Sequence, residues 1–431
     1  MSASVDWADD RCPFHDRSAL VNRYRLPGWI NSLIDRIADA PMSPIGRIAA
    51  RRMGAPAPAG AVPATEFDDK PIRVLITPMN YSGQGRAWAR ALEAADPSIS
   101  ARNTAVDVPG GFSFDADLVV PVGTYHNGAE WQQREFEAAS RATHVLIEAE
   151  EPPFGRMLSR SVAAQAEALL DRGVDVAFLA HGTDVRLPSR HMTDNPWSHY
   201  GDPDIYAPRA EVLAARNIRL LTESGRPLFV STPDLLEDLP SAGWCPVVVD
   251  PSRWAAAPRS GSDGPLRVTH VPSVSAVKGT QLILPALEKL AEEGVIDLRL
   301  VQGVPSAEMP AVFATADVVI DQVRIGSYGV AACEAMAAGC IVVGHVADRV
   351  RGEVERRTGL ALPVVESDPP SIEETLRRLA ALPDRSAIIR AGIDFVRHVH
   401  DGRMAAAVLT DEWIRPRTST DQEGGAHASR D

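Results

Sequence analysis

Four stretches hold residues whose types and spacing could do chemistry. In PMNYSGQGRAWARAL (78–92) a strand pattern runs into Gly83 and Gly85 and then into a helix from about Arg86. Glycines let backbone N–H groups come close to a ligand, and the positive end of the helix suits a diphosphate. A glycine turn needed only to enter the helix reads the same way. In THVPSVSAVKGTQLILPALEKL (269–290), Lys278 precedes Gly279 and Thr280 at the mouth of a second helix. An ammonium and a helix end converging on one spot would stabilise a departing pyrophosphate; a solvated lysine beside a cap is the plainer alternative. In IGSYGVAACEAMAAGCIVVGHV (325–346), Glu334 sits among Ala332, Cys333, Ala335 and Met336. A carboxylate there is costly to bury unless something binds it, and vicinal ribose hydroxyls can give it two hydrogen bonds. An exposed helix edge is the alternative. In FLAHGTDVRLPSRH (178–191), His181, Asp184 and Arg186 follow a strand end, where a histidine can meet a sugar hydroxyl or a reacting oxygen. Strand-end histidines also serve only to satisfy loop backbone. Without a GxSxG elbow these residues do not make a hydrolase triad.

Such residues need a frame. Short apolar runs at 72–78, 115–122, 143–149, 174–181 and 226–232 form one strand series, and 266–272, 296–303, 317–323 and 340–346 a second. Helical patterns lie between them, as at 281–294 and 328–339. Unbroken apolar strands alternating with helices predict parallel sheets covered on both faces, and two series joined by Pro/Trp-rich chain (240–254) predict two doubly wound, Rossmann-like α/β domains facing a cleft. The expected layout is a helical extension and Pro/Ala linker (1–70), a first domain (71–250), a second (251–400), a helix crossing back (401–415) and a polar, disordered tail (416–431).

The bulk numbers exclude several classes. The 431 residues exceed one ordinary domain, and 45% hydrophobic with 23% charged residues is a globular balance. A formal charge of −13 argues against nucleic acid as a partner. Cys12, Cys245, Cys333 and Cys340 make no CxxC pair, and Cys12 with His15 is an incomplete metal site. No metal and no cofactor is expected. Few cysteines, no apolar run of membrane-spanning length and no signal-peptide core point to the cytoplasm, with association at the inner membrane face left open.

The order of THVPSVSAVKGT, LVQGVPSAEMPAVFATADVVIDQ and GSYGVAACEAMAAGCIVV resembles the nucleotide-sugar domain of the retaining GT-B glycosyltransferases of family 4. STPDLLEDLP (231–240) resembles the domain crossing of a bacterial subgroup. The resemblance covers roughly 72–415, with the first domain weaker. It implies a glycosyltransferase moving a sugar from a nucleotide-sugar donor to an unidentified acceptor with retention. Lys278 would bind the donor diphosphate, Glu334 the ribose, and Gly83 and Gly85 would line the diphosphate from the first domain. Gly279, Gly326, Tyr328 and Gly329 complete the donor side; His181 and Lys278 are the catalytic candidates, and Asp184 and Arg186 face the acceptor. Two positions depart from the family: Gly326 stands where a glutamate eight residues before Glu334 is usual, and Ser275 where an arginine is usual. Arg324 or Arg186 are the candidate substitutes. Aspartates of DADL (115–118) open a strand rather than a metal-holding motif. A GT-B sugar-nucleotide epimerase, and a scaffold that has lost catalysis and acts as a partner or activator, are the competing readings.

Residues 17–53 carry seven arginines against two aspartates, a local excess of +5. Trp29, Ile30, Leu33, Ile34 and Ile37 share a helical face, and Ser43-Pro44 starts a second helix. Such a segment docks on an anionic membrane surface, or it packs on the enzyme's own surface or on a partner, the reading preferred here because globular helices are amphipathic too. Trp413 is expected to pack the closing helix on the first domain.

Overall fold

The computed structural model describes residues 23–107, 114–254, 264–272 and 274–415. Cys12, His15, residues 17–22 of the basic stretch and the tail from 416 lie outside them.

Strands β1 (Ile72–Thr77), β2 (Ile99–Asp107), β3 (Leu118–Pro121), β4 (His144–Glu148), β5 (Asp175–Ala180), β6 (Leu228–Val230) and β7 (Gly243–Trp244) form one sheet, ordered β3-β2-β1-β4-β5-β6-β7. Strands β8 (Leu266–His270), β9 (Ile296–Leu300), β10 (Val318–Ile320), β11 (Ile341–Gly344) and β12 (Val365–Glu366) form the other, ordered β12-β11-β10-β8-β9. Every pairing is parallel. Central strands are apolar on both faces because helices cover both: Val74, Leu75, Ile76, Val145, Leu146 and Ile147 are all fully buried. Strand order reverses between β1 and β4 and again between β8 and β10. Those two points, beyond the carboxyl ends of the strands, are where such sheets bind ligands.

Three strands escaped the sequence pattern. In β2, Ser100, Asn103 and Thr104 are buried polar residues, which breaks the apolar run. Ser100 and Thr104 are met by the Pro/Ala segment expected to be a linker, while the Asn103 amide donates to the Ile76 and Met79 carbonyls. Thr65 meets Thr104 at 2.7 Å and Glu135 at 2.7 Å, and Ser100 accepts from the Asp68 N–H at 3.0 Å. Trp131 donates to the Pro63 carbonyl. The Pro/Ala stretch is thus pinned along the first domain. Strands β7 and β12 are two residues each, too short for periodicity to register.

The closing helix Arg403–Leu409 and the turn through Ile414 lie on the first domain. Ala405, Leu409 and Trp413 share a core with Val74, Trp88 and Phe229, and the Trp413 indole donates to Asp175 at 3.1 Å. The aspartates of DADL precede β3: Asp117 pairs with Arg90, and Asp115 with Arg86. Near the other end, helices Gly28–Asp39 and Pro44–Arg52 rest on the first domain, Ser43 capping the second. They pack on the protein's own surface, as preferred from the sequence, but not by the apolar face. Asn31 is buried, while Trp29 and Leu33 are exposed.

Candidate functional site

In the second domain, β8 leads through the short turn Ser275–Lys278 to Gly279, whose φ of +84° lets helix Thr280–Glu292 start abruptly. A Cβ at Gly279 would sit 2.6 Å from Val323 and 2.8 Å from Arg324, so only glycine fits. This packing brings Lys278 beside the end of β10, where its ammonium lies 2.5 Å from the Asp321 carboxylate. His270, buried beneath, bonds Thr280 and the Ile320 carbonyl and is pushed down to about 4 by burial; it stays neutral and structural. The loop after β10 is stapled by Gln322, which bonds the Ser327 and His345 carbonyls and the N–H groups of Arg324 and Ile325. Helix Val330–Ala337 follows from Gly329, where a Cβ would meet open space.

Glu334 lies on that helix in an otherwise apolar setting. Among the described residues no hydrogen bond reaches its carboxyl group, and burial raises its pKa to about 7, with Arg253 opposing weakly. A carboxylate left without donors in a low-dielectric place lacks what hydroxyl groups would supply.

The first-domain side is organised by acids. Glu148 ends β4, is fully buried, and its Oε1 lies 3.0 Å from His181 Nε2. Burial raises its pKa, partly offset by His181. Among the described residues its other oxygen has no hydrogen-bond partner, nor do the buried Thr77 Oγ1 and Asn103 Oδ1 in the same sheet. His181 is further fixed by Tyr81, edge-on at 5.1 Å, and Trp88 at 5.7 Å. Next, Ala149 and Glu150 take left-handed φ of 55° and 51°. Glu150 is buried with neither oxygen hydrogen-bonded among the described residues, and burial with the Asp184 and Glu151 charges raises its pKa well above the ordinary value. Backbone strain of this kind gathers at functional sites.

Several expected residues have other employment. Asp184 caps its own loop, accepting from the His181 N–H at 2.7 Å and the Gly182 N–H at 2.5 Å. Arg186 is buried on Asp234 at 2.6 Å, and Asp234 stays ionised because Arg186 outweighs the effect of burial. Both side chains are thus engaged within the first domain. Tyr328 is buried with its hydroxyl 3.2 Å from His400 Nε2, so its ring belongs to the core. Gly83, with φ of +75°, opens helix Gln84–Ala95. At Gly85 a Cβ would lie 2.4 Å from Asn103 Nδ2 and 2.9 Å from Glu148 Oε2. Packing alone therefore demands glycine at 85, between the Asn103 amide and the Glu148 carboxyl group.

The two halves face each other through loops that leave the carboxyl ends of β5 and β10. Arg324 donates to the carbonyls of Trp197, Ser198 and Ala276 and pairs with Asp202 at 2.6 Å. His191 bonds the Ile325 carbonyl and Asn195 the Arg324 carbonyl, each at 2.9 Å. Arg324 is a fully engaged tie between domains, which removes it, with Arg186, as a substitute for the cation absent at Ser275. Gly326 has φ of +74°, and a Cβ there would stand 3.2 Å from Asn195 Nδ2. Restoring a family-like acid as Gly326→Glu is expected to cost about 1–2 kcal/mol of stability without raising turnover. A urea midpoint equal to the parent's, with turnover increased, would contradict this.

Sequence reasoning missed Glu148, Glu150 and Asp321. Each stands at or just beyond a strand's carboxyl end, and that position is the signal which could have found them. Among the described residues no group of three His, Cys, Asp or Glu side chains gathers as metal ligands, and no helix is long and apolar enough to cross a membrane.

Neither a protein-family model nor a curated protein sequence matches the chain. Solved structures do match its fold. Anabaena HepE in complex with UDP and glucose aligns at a TM-score of 0.51 and 11% identity, over 79% of this chain and 98% of that one. The catalytic domain of starch synthase IV from Arabidopsis thaliana bound to ADP and acarbose aligns at 0.48 and 11%, over 80% and 98%. A UDP-N-acetylglucosamine 2-epimerase aligns at 0.44 and 11%, over 81% and 98%. With the sheet orders above, the first of these likenesses identifies the architecture as GT-B: two doubly wound α/β domains whose strand ends face one cleft.

Proposed function

We propose that this chain is a glycosyltransferase that binds a nucleotide-sugar between its domains and passes the sugar, with retention of configuration, to an acceptor held by residues 71–250. The second domain, 251–400, carries the donor. Glu334 accepts hydrogen bonds from the ribose hydroxyls. Lys278 and the N-terminal end of helix Thr280–Glu292 meet the diphosphate as its charge grows, and the backbone from Gly326 to Gly329 lines the donor on the other side. His181, steadied by Glu148, contacts hydroxyls of the transferred sugar. The Gly83–Gly85 turn faces those hydroxyls rather than phosphate, because Glu148 backs it. The reading needs no metal ion and no cofactor beyond the nucleotide-sugar. HepE's complex with UDP and glucose is the precedent in fold for such an occupant.

The observation that carries the proposal is the Glu334 carboxyl group, which no hydrogen bond reaches among the described residues and whose pKa burial raises to about 7. Calorimetric titration of UDP, GDP, ADP and dTDP into the full chain tests it. One nucleotide should bind saturably, and Glu334→Ala should weaken it at least about tenfold (~1.4 kcal/mol). Binding by none of the four would favour a scaffold without catalysis. Gly326, Ser275 and the engaged Arg324 and Arg186 would be its basis. Binding followed by donor turnover without any acceptor would favour the epimerase.

A further inference from the structure

We propose that helices Gly28–Asp39 and Pro44–Arg52 dock the protein on an anionic lipid bilayer. This goes beyond the reading of the cleft and is tested without any activity. An amphipathic helix on a globular protein normally turns its apolar side inward. Here the bulkiest apolar side chains instead face outward. Ile30, Ile34 and Ile37 are half-buried, but the position fully buried in the first helix is polar: Asn31 is held by Arg23 at 3.1 and 2.9 Å, Asp35 pairs with Arg23 at 2.8 Å, and Asp39 pairs with Arg209 at 2.7 Å. In the second helix Gly46 and Ala50 are the buried residues, and a Cβ on Gly46 would lie 2.5 Å from the Pro41 carbonyl oxygen.

The outward side carries the bulk. Trp29 is 70% exposed, Ile45 and Ile48 55%, Leu33 51% and Met53 47%. Among the described residues, thirteen large apolar side chains are exposed, and six of them fall within residues 24–53. That concentration marks an interaction surface rather than scattered exposure.

Charge selects the occupant. Both acids of residues 23–53 are paired with arginines, whereas Arg36, Arg47, Arg51 and Arg52 are exposed. Exposed indole and branched aliphatic groups ringed by arginines, in a chain of −13, fit headgroups above and acyl chains below. A second copy meeting the same face would bring cations against cations.

The full chain is to be sedimented with vesicles of phosphatidylglycerol and phosphatidylcholine in equal parts, and with phosphatidylcholine alone. Strong binding is expected to the first only, weakened by salt. Trp29→Ser with Ile48→Ser, and separately Arg51→Glu with Arg52→Glu, should each reduce partitioning about tenfold or more. All four residues are exposed, so circular dichroism and Tm should match the parent's. The proposal is overturned if the parent leaves the anionic vesicles in the supernatant fraction, or if both variant pairs bind as it does. It is equally overturned if light scattering shows self-association that Trp29→Ser with Ile48→Ser abolishes while vesicles are ignored.

Discussion

Lys278→Ala is expected to lower sugar transfer about 10²–10³-fold, the usual effect of removing one preorganised donor from a developing negative charge. Its loss should appear in kcat more than in KM, since the charge on the diphosphate grows as the sugar departs. The substitution also strands Asp321, which is 4% exposed at the side chain and paired with Lys278. An unpaired carboxylate there destabilises the fold, so lower activity alone would be ambiguous. Adding Asp321→Asn to Lys278→Ala separates the effects. Stability should return, measured by the urea midpoint, while transfer stays low. If transfer returned with stability, Lys278 would be a structural partner of Asp321 and nothing more. The single variant Asp321→Asn completes the argument: with its counter-ion gone, Lys278 meets the diphosphate without competition, and nucleotide affinity should rise.

This pair shows how far the sequence could be read. Lys278 was visible because a lysine before Gly-Thr at a helix mouth is a local pattern. Asp321 was not, because its meaning depends on β10 lying beside β8, with Ile320 across from His270. The same holds for Glu148, which reads as the last residue of an apolar run until β5 brings His181 within 3.0 Å. Strand and helix periodicity carried the two doubly wound domains almost entirely, since central strands must be apolar. It failed at β2, where buried polar residues break the apolar run and Ser100 and Thr104 are met by chain that lies far off in sequence. Arginines were the least legible residues. Arg186 and Arg324 sit where a phosphate ligand was sought, yet each already meets a carboxylate, and Arg324 three carbonyls besides. A cation's availability is a property of its neighbours, which no local motif records.

Glu334→Gln should raise the stability of the empty protein above neutral pH while weakening nucleotide binding. The sign follows from the direction of the shift. Burial lifts the folded-state pKa from 4.5 to about 7. Between those values the unfolded chain has released the proton and the folded one retains it. Stability contributed by the protonated group is therefore complete below about pH 4.5 and is lost as pH rises through 7. At pH 8 the difference is on the order of 2–3 kcal/mol, less whatever solvent reaches the group. Glutamine remains neutral throughout, so the Tm curves of parent and variant should converge near pH 4.5 and diverge above it. Nucleotide binding should run the other way. Ribose hydroxyls donate to the ionised carboxylate, so binding in the parent expels a proton below pH 7, and affinity rises with pH until it levels off above that point. Titrations in buffers of different ionisation enthalpy would read that proton directly. The Gln variant should release none, and its affinity should be flat over the same range. Proton release unchanged in Glu334→Gln would assign the titration to another group and remove Glu334 from the donor site.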